Sequence, residues 1–301
     1  MENLSDLVSP KQVARAIGVS ESSLKRWCDQ GLIKTVKTVG GHRKMQVSDV
    51  LRFIRDRDQE LVSPEILELP PTTERAELGL SRGRPLLVEA LLNGNEEVAR
   101  QVVFDLYLAK HSLCVICDEV IAGAFRDIGH RWACNEADMY QERRGCEIAL
   151  RILFDLRRRQ KLPSKSKLAI GGTIEGDVYA LPSTMAELVL REAGWNATSL
   201  GTSLPFRSLI RAIRETQPKL FWLSVSHIQP SIDFIKEFNK FSRACRDTET
   251  ELVVGGRVIA ESLRRQMKNA EFCESMQQLD LFARALGRKR PKPKRVTSEN
   301  L

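Results

Sequence analysis

At 301 residues, with 42% hydrophobic and 29% charged side chains, the chain has the composition of a globular protein of about two domains, at roughly 150 residues each. No apolar run nears the roughly 18 residues of a membrane span, and the opening MENLSDLVSPKQ has no apolar signal core, so neither secretion nor membrane insertion is expected and a cytoplasmic place is. The net charge of +8 gathers at the ends: residues 1–60 hold 11 basic and 8 acidic side chains, residues 287–295 hold six basic ones and no acid, and residues 61–286 balance.

The first block covers residues 1–60. Val13-Ala14-Arg15-Ala16-Ile17 predicts a short helix, Gly18 a turn, and Ser20 the N-cap of a second helix through Trp27. Val13, Ala16, Ile17, Val19, Leu24 and Trp27 can close a small core. Ser22, Ser23, Lys25 and Arg26 then point outward, a polar and basic face suited to a major groove. Gly40 and Gly41 form a hairpin tip followed by His42, Arg43 and Lys44, a wing whose cations reach phosphates. A third helix is expected from Val47 onward with Ser48 as its cap. A helical hairpin used for protein contact is the alternative.

This run, VSPKQVARAIGVSESSLKRWCDQGLI with GGHRKMQVSDV after it, resembles the winged helix-turn-helix of the MerR family and related excisionase-like modules. That resemblance implies double-stranded DNA as a partner. The family commonly has Tyr after the His-Arg pair of the wing. Here Lys44-Met45 follows, and Met45 can fill the same apolar space.

Residues 61–83 read as a linker because Pro64, Pro70 and Pro71 sit among polar side chains. Residues 84–162 predict a four-helix bundle, with helices at 85–92, 95–111, 113–132 and 136–160. Breaks fall at Asn93-Gly94, near Ser112 and at Asn135. From Lys167 the pattern changes to strands alternating with helices: Leu168-Ala169-Ile170-Gly171-Gly172, helix 183–193, strand 196–200, helix 206–216, strand 219–225, helix 230–245 and strand 251–254. That order over residues 163–287 predicts a doubly wound parallel sheet. Residues 288–301 predict a basic disordered tail, which Pro291 and Pro293 keep out of a helix.

Several landmarks in this remainder carry a second resemblance. Trp132 is followed after nine residues by Glu142 and Arg143. Asp177, Tyr179 and Pro182 stand in one loop, Leu223-Ser224-Val225-Ser226 ends a strand, and Gly255-Gly256 precedes a helix. Residues 84–286 resemble the cobalamin-binding pair of light-responsive MerR-type repressors and corrinoid methyl-transfer proteins. The family pattern is Trp-x9-Glu-His in the bundle and Asp-x-His-x-x-Gly in the sheet domain. Arg143, Tyr179 and Pro182 replace its two histidines and its glycine.

The resemblance implies that the loop histidine is the lower axial ligand of cobalt, oriented by the aspartate. A phenol with an ordinary pKa of about 10 is a poor substitute, and Pro182 adds bulk where glycine lets the backbone pass close. The expectation is therefore no resident cofactor, with cobalamin admitted only in a base-on mode needing no protein ligand. Trp132, Glu142, Arg143, Asp177, Tyr179, Ser224, His227, Gly255 and Gly256 are the candidate pocket residues, for a former corrin site or an unknown small molecule or protein partner.

Other constellations are weaker. His111, Cys114 and Cys117 straddle an expected helix break in apolar text, so structural thiols and no metal are expected. Gly171-Gly172-Thr173 lacks a dinucleotide fingerprint. No catalytic pair stands out, so no enzyme is expected. Two alternatives stay open: a corrinoid methyl carrier with an appended DNA-binding block, and an interaction protein sensing another ligand. One winged module buries only about 600–1,000 Å² on DNA, so a dimer or higher homo-oligomer is expected.

Overall fold

The computed structural model describes residues 6–38, 40–57, 59–70, 79–160 and 166–288. Val39 and the basic tail beyond residue 288 lie outside them, so the expected disorder of the tail is not addressed.

The first block is three helices and a small antiparallel sheet. Its elements are β1 (Leu7–Val8), α1 (Pro10–Ala16), α2 (Glu21–Asp29), β2 (Val36–Lys37), β3 (Arg43–Gln46) and α3 (Val47–Arg57). The sheet order is β1-β3-β2, with Val8 opposite Met45 and Lys37 opposite Arg43. Ser9 opens α1 through a capping box with Gln12, and Pro10 fits the first turn, where no N–H is needed. Ser20 caps α2 as the sequence predicts. One expectation is corrected here: α3 starts at Val47 directly from β3, so Ser48 lies inside the first turn and does not cap it. Val13, Ala16, Leu24, Met45 and Val50 are fully buried, while Val19 and Trp27 cover the core edge. Trp27 packs on Phe53 with ring centroids 5.1 Å apart.

The expected linker is folded over its first ten residues. Val62 and Ser63 donate backbone hydrogen bonds to the Ala16 carbonyl at 2.8 and 3.0 Å, and Pro64–Leu67 forms a 3-10 turn. Leu61, Leu67 and Leu69 are buried in the same core. Burial of these three leucines thus outweighs the prolines, which mark turns rather than a free tether.

The bundle consists of α4 (Leu80–Asn93), α5 (Glu96–Leu108), a bent third helix, and α8 (Met139–Arg158). The third helix passes from α6 (Leu113–Val115) through a π-helical stretch, Ile116–Ile121, into α7 (Ala122–Ala133). Gly94 and Asn135 take positive φ values of 71° and 59° at the predicted breaks. Helix α4 begins at Leu80 and keeps Pro85 inside it, so the proline does not mark its start.

The last domain runs β4 (Leu168–Thr173), α9 (Ala180–Glu192), β5 (Asn196–Ser199), α10 (Phe206–Thr216), β6 (Leu220–Ser224), α11 (Phe234–Asp247), β7 (Glu251–Gly255), α12 (Glu261–Arg264), β8 (Glu271–Phe272) and α13 (Met276–Arg288). The strands are all parallel in the order β5-β4-β6-β7-β8. Alternate side chains sort the layers. Ile170, Phe221, Leu223 and Val254 meet α10 and α11, whereas Ala169, Trp222 and Val253 meet α9 and α13. Strand β8 has only two residues, too short for any periodic signal. Helix α11 starts four residues later than the pattern suggests because Asp233 caps it, accepting from the Lys236 N–H.

Candidate DNA-reading face and ligand cleft

Helix α2 turns Leu24 inward, so Ser22, Lys25 and Arg26 are exposed and Ser23 half-buried. The cap organises the serines. Ser20 Oγ lies 2.8 Å from Ser22 Oγ and 3.0 Å from Ser23 Oγ, and it accepts the Ser23 N–H at 3.1 Å. At the wing, Thr38 N–H donates to the His42 carbonyl at 2.9 Å, and Gly41 turns the chain with φ 76°. Gly40, Gly41 and His42 are exposed, and Lys44 is half-buried.

Arg43 behaves differently from the expectation of a free phosphate contact. Its guanidinium pairs with Asp29 at 2.6 Å, tying the wing strand to the last turn of α2. Sequence reasoning passes over this acid because it lies 14 residues away. It also passes over Lys34 and Lys37, which are exposed beside the wing.

The candidate pocket residues fall into two groups. Ser224, Gly255 and Gly256 line a cleft of about 450 Å³ at the carboxyl ends of β6 and β7, with Pro182 and Trp222 in its wall. Ligands of doubly wound sheets bind at this edge. Gly256 has φ +126°, and a Cβ there would lie 2.0 Å from the Val225 carbonyl oxygen, so only glycine fits.

The other six stand outside the cleft lining. Trp132 is 48% exposed at the end of α7, and His227 is exposed. Asp177 is fully buried. Its Oδ1 accepts from the Tyr179 N–H at 3.1 Å, and its Oδ2 accepts from the backbone N–H groups of Ser226 and His227 at 2.6 and 3.2 Å. The carboxylate therefore fastens the β4–α9 loop to the end of β6.

Two departures from the family pattern meet each other. The Tyr179 phenol pushes the Arg143 guanidinium beside it further up from its ordinary pKa. That guanidinium lies 5.3 Å from the Tyr179 ring centroid, and Arg257 lies 5.3 Å from the same centroid. Tyr179 is thus clasped between an arginine of the bundle and an arginine of the sheet domain. Glu142, half-buried on α8, precedes Arg143 directly in sequence.

Trp222 completes the closure. Its indole is 2% exposed, and its Nε1–H donates to Ser183 Oγ at 3.0 Å. A Cβ on the opposing Gly171 would fall 2.0 Å from the indole, so the ring packs directly on the β4 backbone and only glycine fits there. These residues do not suit a cobalamin held by a protein imidazole. The Tyr179 phenol ring lies 5.3 Å from each of two guanidinium groups, both oxygens of Asp177 are taken by backbone amides, and the lined space is about 450 Å³.

Cys114 and Cys117 are buried in the bundle, and burial pushes both thiols up. Among the described residues, no three His, Cys, Asp or Glu side chains gather as a metal ion would need. Among them also, no helix is long and apolar enough to cross a membrane.

Residues 7–58 match the helix-turn-helix domain family. Over 177 residues the chain is 18% identical to the trimethylamine corrinoid protein of Methanosarcina barkeri, covering 58% of this chain and 82% of that one. Over 72 residues it is 29% identical to dimethylamine corrinoid protein 3 of Methanosarcina mazei, covering 24% and 43%. The solved monomethylamine corrinoid protein of Methanosarcina barkeri superposes with TM-score 0.57 at 14% identity, covering 69% of this chain and all of that one. The chain therefore joins an N-terminal helix-turn-helix domain to a region with the fold of corrinoid proteins.

Proposed function

We propose that this protein is a sequence-specific DNA-binding transcriptional regulator, not an enzyme, whose bundle and sheet domain form a corrinoid-type sensor module that no longer takes cobalamin through an axial histidine. The observation that carries the DNA half is the exposed polar face of α2, Ser22 to Arg26, beside a wing held to it by Arg43 and Asp29. Lys25 and Arg26 read the groove, while His42, Lys44 and the glycine tip Gly40-Gly41 approach the backbone. The observation that supports the sensor half is the clasp of Tyr179 by Arg143 and Arg257. A corrinoid carrier, which the relatives' names bring to mind, needs the very loop that this clasp closes. The regulator acts in the cytoplasm as a dimer or higher oligomer on repeated half-sites, because one winged module covers too little DNA for regulatory affinity.

Selection from random duplex DNA with the intact protein tests the first half: one enriched motif, with Arg26→Ala relaxing it, is the expected result. An unenriched pool removes the reading. Desalting after incubation with hydroxocobalamin tests the second: colourless protein is expected, and retained corrin absorbance refutes it.

A further inference from the structure

The cleft at the ends of β6 and β7 has a chemistry of its own. Its floor is apolar, built from Trp222, Val253, Met276 and Leu279. Set into this floor is the Ser224 hydroxyl. The residue is 6% exposed, and its Oγ has no hydrogen-bond partner among the described residues. That oxygen is itself sealed from solvent, so it lies behind the cleft surface and leaves the wall there polar but unpaired.

The charges around the cleft resolve into pairs and a remainder. Asp118 caps α13, its two oxygens accepting the N–H groups of Met276 and Gln277 at 2.9 Å each. Glu274 is paired with Arg264 at 2.6 Å. Arg126 donates only to the Asp118 carbonyl oxygen, at 3.3 Å, and Arg257 lies over the Tyr179 ring. Neither has a carboxylate partner among the described residues, and both line the cleft, Arg126 from the bundle and Arg257 from the sheet domain. A volume of about 450 Å³ falls within the roughly 300–1,000 Å³ of small-molecule sites.

We infer that this cleft binds a small organic anion with an apolar body and one acidic head. Arg126 and Arg257 hold the head from opposite walls, as guanidinium groups suit planar or tetrahedral oxyanions. The body lies on Trp222 and Leu279. The inference rests on reading the pair as a sensor freed of cobalamin, and it names the class of effector. Because the two arginines come from different domains, such a ligand bridges bundle and sheet.

The test uses the full chain and 8-anilinonaphthalene-1-sulfonate, an aromatic body with one acidic head, followed by fluorescence without DNA. Saturable one-to-one binding is expected, at least fivefold tighter than that of uncharged 1-anilinonaphthalene. Arg126→Gln and Arg257→Gln should each weaken it at least fivefold, while Arg211→Gln, on the exposed face of α10, leaves it unchanged. If a variant fails to fold, the uncharged analogue and a fall in affinity with added salt decide the matter. Equal binding of charged and uncharged probes overturns the inference, as does unsaturable binding or stoichiometric displacement by hydroxocobalamin. Since DNA is absent, failure here leaves the DNA-reading proposal standing, and a failed motif selection leaves this one.

Discussion

The Tyr179 clasp makes a quantitative claim that a double-mutant cycle can test. Tyr179→Phe keeps the ring beside both arginines and should cost little. Arg143 is exposed and Tyr179 half-buried, and each cation–π contact at such a site contributes about 0.5–1 kcal/mol. Arg143→Met should therefore cost roughly 0.5–1 kcal/mol, and Tyr179→Ala more, because it also loses the contact to Arg257 and the burial of its ring.

The coupling between Arg143→Met and Tyr179→Ala is expected at about 0.5–1 kcal/mol, above the roughly 0.3–0.5 kcal/mol scatter of independent sites. Urea unfolding of the full chain measures it. Circular dichroism and tryptophan emission are followed together, because a multi-domain chain need not unfold in one step. Strict additivity of the two changes refutes the clasp.

Four further outcomes follow from particular contacts. Asp29→Asn releases Arg43 and removes an anion from the last turn of α2 beside the wing, so affinity for all sequences should rise and the salt dependence steepen by about one phosphate contact, near 0.9 in log–log slope; a filter-binding salt titration reads it. Light should change neither DNA affinity nor oligomeric state with adenosylcobalamin present, as light scattering and band shifts in dark and light will report. Trp222→Ala should cost about 3–5 kcal/mol, the range for deleting a large buried aromatic, seen as a loss of thermal stability. The Arg84 hydrogen bond holds the Asp127 carboxyl below its ordinary range. That pair stabilises fully above the unfolded carboxyl pKa of about 3.9 and is lost as pH falls through the lower folded value, so Arg84→Met should raise the midpoint of acid unfolding.

What the residues reveal on their own follows the range of the interactions involved. Helices α1 and α2 are legible because their signals are local: Ser9 and Ser20 caps, Gly18, and apolar spacing on one face. The parallel sheet is legible through β4, β6 and β7, whose apolar stretches stand between helices, whereas β5 is Asn-Ala-Thr-Ser and β8 only two residues. The linker reading gives way because Leu61, Leu67 and Leu69 reach across to α1, a contact that proline counting cannot foresee. At the site, Asp177 and Tyr179 are found by pattern, but their partners are not. The amides of Ser226 and His227 are about fifty residues from Asp177, and Arg257 is brought to Tyr179 only by the order of strands β6 and β7. The missed Asp29–Arg43 pair has the same cause on a smaller scale.

Helix α9 runs from the cleft lining to a contact with the first block. It lines the cleft with Pro182, Met185 and Ala186 near its start and ends at Glu192. Met185 and Glu192 are separated by about 10 Å along the helix, at roughly 1.5 Å per residue. Glu192 Oε2 accepts the Leu113 N–H at 2.8 Å, and its Oε1 lies 3.6 Å from the Arg55 guanidinium of α3. Arg55 also donates to the His111 carbonyl at 3.2 Å and sits 4.0 Å over the Tyr107 ring. One side chain of the DNA-binding block thus touches the bundle and the sheet domain at once, where partial burial strengthens the charge contacts. Coupling between cleft and DNA requires that these contacts differ between two arrangements of α9 against the bundle. A shift at Arg55 would reach α2 through α3, since Phe53 of α3 packs on Trp27 of α2 with ring centroids 5.1 Å apart.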